Sequence, residues 1–180
     1  MKNIILMFCF FCLSINCFAD IGYGNNTVAV DTQGDWTFTQ MAYGEMGVSY
    51  NSTATTITTA NIFYQVTANF TGSELNNVTV SSQKLVLGLD GVYYIDFNVS
   101  VSGANNAIVF GGISRNDDTP EGDHLFSRKL SANGDIGSGG GSEIHALTNG
   151  DTISLVLKNE TNTNDLTVEH ANLVLFKIAP

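Results

Sequence analysis

The last apolar stretch of the chain, LVLFKI from Leu173 to Ile178, is hydrophobic on both faces of any strand it forms. Side chains alternate across a strand, and a strand with one face on a core and one in water should alternate apolar and polar residues. If Leu173 and Leu175 face a core, then Val174, Phe176 and Ile178 face away from it. Something must cover that second face. The stretch LTNGDTISLVL, Leu147 to Leu157, raises the same question: after a turn at Asn149-Gly150, Ile153, Leu155 and Leu157 share one side while Val156 adds an apolar group to the other.

The rest of the chain reads as β structure. Short alternating runs recur between Gly, Asn and Asp clusters, as expected of a sandwich or barrel. The expected strands include Asp35 to Tyr50, Ile62 to Phe70, two strands of KLVLGLDGVYYIDFNVSVSG on either side of Asp90-Gly91, Ala107 to Ser114, and the pair that closes the chain. Asp-Gly suits the positive backbone angles of a tight turn. Tyr93, Ile95, Phe97, Val99 and Val101 fall on one face of their strand, and Tyr94, Asp96, Asn98 and Ser100 on the other. RNDDTPEGDHLFSRKLSANGD is expected to be loop.

The first nineteen residues read as an export signal, with Lys2, an apolar run from Ile4, and Ala19 before Asp20. The run falls short of the roughly twenty residues a spanning helix needs, so stable membrane insertion is not expected. Residues 20–42 are taken as an arm and the start of the first strand region, and residues 43–180 as one domain. All three cysteines, Cys9, Cys12 and Cys17, lie in the leader. A mature chain without them has neither a disulfide framework nor a thiolate metal site. With 7 basic and 17 acidic residues the formal net charge is −10, which disfavours nucleic acid as a partner. Charged residues are only 13% of the chain, about half the usual share, and Ser, Thr, Asn and Gly supply a polar but neutral surface.

The ordered set GVYYIDFNVSVSG, the Gly-rich SGGGSEIHAL running into LTNGDTISLVL, and the terminal LVLFKI resembles the C1q and TNF-like jelly-roll family. The earlier YNSTATTITTANIFYQV looks like the bacterial and bacteriophage variant of that domain. The resemblance covers roughly Tyr43 to Ile178 and lacks the collagen-like stalk of many C1q relatives. It implies an all-β, two-sheet jelly-roll sandwich that assembles as a homotrimer through one sheet. That sheet would hold the strand at Val92, the strand at Ile153 and the terminal strand. Tyr94, Asp96, Asn98, Val156, Val174, Phe176 and Ile178 would then form the oligomer interface. The alternative cover for the second face is the chain's own amino-terminal arm.

No Gly-x-Ser-x-Gly elbow, P-loop or His-Glu-x-x-His occurs, and His124, His145 and His170 have no ligand spacing, so neither catalysis nor a cofactor is expected. Asp117, Asp118 and Asp123 lie in the densest acidic group. Carboxylates suit calcium, and some family members hold calcium, but a solvated loop is the simpler reading. Sequons begin at Asn25, Asn51, Asn69, Asn77, Asn98 and Asn159; chance in an Asn- and Thr-rich chain accounts for many of them, and no glycosylation is inferred. The expected function is a secreted, non-enzymatic trimeric module for recognition or adhesion at a cell or particle surface. A protein or glycan ligand would be met by loops such as Arg115 to Asp135. The alternative is a structural or decoration component of a virion or extracellular layer. A glycan-acting enzyme using paired carboxylates is a third reading, which only coordinates can weigh.

Overall fold

A computed structural model describes residues 26–30, 36–120 and 124–180, with side chains from Met41 onward. The expected leader and Asp123 lie outside these residues. The chain divides into two compact units, Met1–Met41 and Ala42–Pro180. In the first, β1 (Asn26–Val30) and β2 (Trp36–Gln40) pair antiparallel, with Asn26 opposite Gln40.

The second unit is built of two antiparallel sheets. One runs β12 (Ile136–Leu147), β9 (Gly91–Ser102), β14 (Leu166–Ala179), β3 (Tyr43–Val48), β6 (Thr71–Asn76), with β4 (Ala54–Thr55) joined to β14. The other runs β11 (Phe126–Lys129), β10 (Ile108–Arg115), β13 (Thr152–Asn159), β8 (Lys84–Leu87), β7 (Val78–Ser81), with β5 (Tyr64–Gln65) joined to β13. The sheets bury Tyr93, Ile95, Phe97, Val99 and Val101 of β9 and Leu173 and Leu175 of β14 in one core with Ile153, Leu155 and Leu157 of β13. Apart from Val101, which the sequence only places on the same face of its strand, these residues were expected in the core. Their strands, however, are not all in one sheet: the Ile153 strand belongs to the sheet opposite β9 and β14. Alternation alone says which face of β13 is inward, but gives no information about which partner strand hydrogen-bonds to it.

Local chemistry explains where strands fall short of expectation or go beyond it. Within Ile62 to Phe70 only Tyr64 and Gln65 pair in a ladder. Beyond them the Thr67 N–H donates to Thr55 Oγ1 (2.9 Å) and the Ala68 N–H to Gln83 Oε1 (2.8 Å), so side chains take the place of a neighbouring strand. β7 and β8 turn at Ser82 and Gln83 with φ of 50° and 64°. That geometry is usually signalled by Asn-Gly, and here the Gln65 amide holds it by donating to Ser82 O at 2.9 Å. β11 lies inside the expected loop. Its Phe126 ring sits where a Cβ on Gly139 would come within 2.2 Å and one on Gly111 within 2.3 Å, so two separate glycine clusters serve one aromatic side chain.

Two of the stretches that carry the resemblance, GVYYIDFNVSVSG with its Gly-x-Tyr and LTNGDTISLVL with its Leu-x-x-Gly-Asp, also acquire reasons. Tyr93, of Gly-x-Tyr, is fully buried and donates its hydroxyl to Leu89 O at 2.8 Å. Burial, reinforced by the Asp90 charge, pushes its hydroxyl pKa up to about 12. Asp151, of Leu-x-x-Gly-Asp, locks the turn into β13 by accepting from Arg115 Nη2 (2.7 Å), Asn116 Nδ2 (2.7 Å) and the Thr148 N–H (2.8 Å).

Candidate functional site

The face of the β12-β9-β14-β3-β6 sheet turned away from the core gathers most of the residues singled out in the sequence. Pairing register lays them out in rows. Tyr94 is opposite Ile144 of β12 and Phe176 of β14, and Phe176 is opposite Tyr43 of β3. The next row holds Ser142, Asp96, Val174 and Glu45, and the one after it Gly140, Asn98, Asn172 and Gly47. A further row pairs Ser138, Ser100 and His170. The face is therefore apolar and aromatic at one end and amide and hydroxyl at the other.

At the apolar end the Tyr94 and Phe176 rings pack with centroids 5.2 Å apart. Ile144 is 60% exposed, Phe176 43% and Ile178 47%, so within the unit from Ala42 to Pro180 no described residue covers the second face of the terminal strand. Exposed apolar groups gathered in this way mark an interaction surface more often than scattered ones do. Ile144 and Tyr43 were not singled out from sequence. The signal for Ile144 was its alternation with Leu147, which is buried, but Glu143 and His145 share that inward phase and disguise it.

Val156 does not join this face. It belongs to the opposite sheet, where its outward side is buried to 6% exposure by its own chain, with Gln65 paired opposite and Ile62, Phe63 and Asp118 around it. Within the unit from Ala42 to Pro180 the second apolar face of β13 is thus covered, and that of β14 is left uncovered by the described residues.

Asp96 and Asn98 sit at the border between the two ends, with Asn98 Nδ2 donating to Asp96 Oδ2 at 3.3 Å. Beyond them opens a groove of about 1130 Å³ lined by Asn69, Asn98, Ser100, Ser138, His170 and Asn172, with Tyr50 and Glu45 also on its wall. Ser73 Oγ donates to Glu45 Oε1 at 2.8 Å.

The acidic group of the loop after β10 is already engaged in part. Both carboxylate oxygens of Asp117 receive the Lys84 ammonium, Oδ2 at 2.7 Å, so a calcium ion there would have to displace a lysine. Asp118 bonds through its backbone, its N–H donating to Arg115 O and its carbonyl accepting from Ser114 Oγ. Among the described residues no group of three or more His, Cys, Asp or Glu could hold a metal ion. The fold does bring together what sequence spacing kept apart: the His124 and His145 rings lie 6.2 Å apart, and His145 Nε2 is 3.3 Å from the nearly buried Glu143 carboxylate. Among the described residues no helix is long and apolar enough to cross a membrane.

No family model and no curated protein matches the chain. Among solved structures it is similar to murine APRIL at pH 5.0, with 13% identity over 76% of this chain and 99% of that one and a TM-score of 0.50. Eiger TNF from S. frugiperda is similar at 12% identity over 77% of this chain and 94% of that one, again with a TM-score of 0.50. At such identity the likeness is one of fold, and the fold is the TNF-like jelly-roll sandwich.

Proposed function

We propose that the chain is a secreted, non-enzymatic homotrimeric module for recognition or adhesion at a cell or particle surface, of the bacterial or phage-related kind that its Asn- and Thr-rich segment resembles. The observation that carries this reading is the open apolar end of the sheet face, where Tyr94, Phe176, Val174, Ile178, Ile144 and Tyr43 lie together. A TNF-like fold supports sister chains as the cover. Asp96 and Asn98 then fall at the border of the contact, facing water rather than a dry interface, which spares an unpaired carboxylate the cost of burial.

Phe176 is the aromatic expected to anchor the contact. Phe176→Asp places a carboxylate on the outer face while Leu173 and Leu175 keep the core side. Light scattering should give three chains per particle for the parent and one for this variant, with Lys177→Asp milder because its stem lies over Gly91 on the core side. A monomeric parent at micromolar concentration, or a variant that still assembles, would remove sister chains as the cover.

A further inference from the structure

The polar end of the same face has a construction that a subunit contact does not explain. Asn98 and Asn172 are direct neighbours across β9 and β14, and each is flanked on its other side by a glycine, Gly140 beside Asn98 and Gly47 beside Asn172. Two amides therefore stand side by side, Asn98 with its Oδ1 leaning over Gly140 and Asn172 next to the open backbone of Gly47. An amide carries two donors and an acceptor, and only one of Asn98's donors is engaged, by Asp96 Oδ2 at 3.3 Å. Ser100 and Ser138, with hydroxyls 3.3 Å apart, continue the hydrogen-bonding surface by one row.

Above this floor stands Tyr50. It is 89% exposed, and its backbone is held at φ 56°, a left-handed conformation that a bulky residue adopts only under constraint. The constraint is visible in the next residue. Asn51 donates its amide to Val168 O (2.8 Å) and Thr53 O (3.1 Å), accepts from the Thr53 N–H (3.1 Å), and donates its backbone N–H to Glu169 O (3.0 Å). The Tyr50 ring itself is braced edge-on against the His170 imidazole at 4.9 Å. Strained backbone of this kind concentrates at ligand sites, and an aromatic fixed before binding lowers the ordering cost of recognition.

We propose that this groove binds a neutral oligosaccharide, with the Tyr50 ring as the platform against a sugar ring and the Asn98 and Asn172 amides taking its hydroxyls. Charge selects the class of ligand. Among the described residues no lysine or arginine lines the groove, Glu45 does, and the chain carries a formal charge of −10, so phosphorylated, sulfated or sialylated ligands are repelled. An apolar ligand would leave the amides without partners. An extended peptide would seek a free strand edge, whereas β9 and β14, the floor of the groove, are paired on both sides. A volume of about 1130 Å³ accommodates several sugar rings.

Every residue that lines the groove comes from one chain, so the isolated chain already carries the site. The full-length chain would be applied to an array of neutral gluco-, galacto- and manno-oligosaccharides printed beside sialylated and sulfated ones. Any captured neutral sugar would then be titrated in solution by calorimetry. Neutral sugars should be captured, Tyr50→Ala and Asn172→Ala should each weaken binding by about tenfold or more, and Tyr50→Phe should retain it. Melting midpoints within a few degrees of the parent would show that the variants are folded. Phe176→Asp should keep the per-chain affinity whether or not it changes the oligomeric state, which separates this outcome from the fate of the trimer. Capture of anionic glycans alone, of no glycan, or of neutral glycans equally by Tyr50→Ala and Asn172→Ala would overturn the proposal.

Discussion

Asp151 closes a turn with one carboxylate shared among three donors from two places in the chain, Arg115 and Asn116 in one and Thr148 in the other. Its burial raises its pKa, but hydrogen bonds from Asn116 and the Thr148 N–H, together with the Arg115 charge, outweigh that and hold it below the ordinary carboxylate range. A carboxyl whose folded pKa is lowered contributes stability above its unfolded value, near 3.9, and loses that contribution as pH falls through the lower folded value. Asp151→Asn turns an acceptor toward Arg115 and Asn116 into a competing donor, and should cost on the order of 1.5–3 kcal/mol at pH 7. The gap between parent and variant, measured by urea unfolding, should narrow below about pH 4 as the parent's own carboxylate is protonated. A gap that stays constant from pH 7 to pH 3 would mean that the charge of Asp151 has no part in locking the turn. The same residue shows what a motif conveys: Leu-x-x-Gly-Asp announces a turn in the sequence, but the Arg115 and Asn116 that answer it lie some 35 residues upstream, where no local pattern points to them.

Strands β13 and β14 are both apolar on two faces, yet the fold treats them differently. β13 is central in its sheet, and on its outer face Val156 is only 6% exposed, sharing a small cavity with Ile62, Phe63 and Asp118. β14 is also central, but Phe176 and Ile178 on its outer face are 43% and 47% exposed. The same substituent should therefore act at different levels. Val156→Asp buries a carboxylate in the folded chain and should cost about 2–4 kcal/mol of monomer stability, whereas Phe176→Asp should cost the isolated chain only about 1 kcal/mol, for the Tyr94 packing it gives up. Chemical denaturation of both variants at low protein concentration would expose any error in this assignment of covers. At this scale the sequence was legible wherever period two ran unbroken, as along β9, where the inward set is as expected. It was not legible where side chains replaced a ladder, as beyond Gln65, or where a four-residue strand such as β11 was held by glycines distant in sequence. The inward phase of β14 also slips at the bulge between Val168 and His170, which puts Ala171 rather than His170 on the core. Alternation read from Leu173 onward is correct only downstream of that slip. The groove was illegible for a related reason, since the Gly-Asn-Asn-Gly row exists only once register is fixed across four strands.

At the scale of the whole molecule, a chain with no cysteine beyond Cys17 must draw stability from its core and from whatever covers its open face. The core is continuous between the two sheets, so each jelly roll carries its own core, and any assembly would add stability by mass action. If three chains share the Tyr94 and Phe176 end of the sheet, the folded state of each is favoured by the concentration of the other two. The melting midpoint of the parent should then rise by on the order of 2–4 °C for each tenfold increase in protein concentration, given the size of the chain. Phe176→Asp should melt at one temperature across the same range, close to that of the dilute parent, because its own core is intact. Differential scanning calorimetry from low to high micromolar concentration distinguishes the cases. A parent midpoint that does not move with concentration, in a sample whose unfolding is reversible, would mean that the apolar end of the face is covered within a single chain or remains in water.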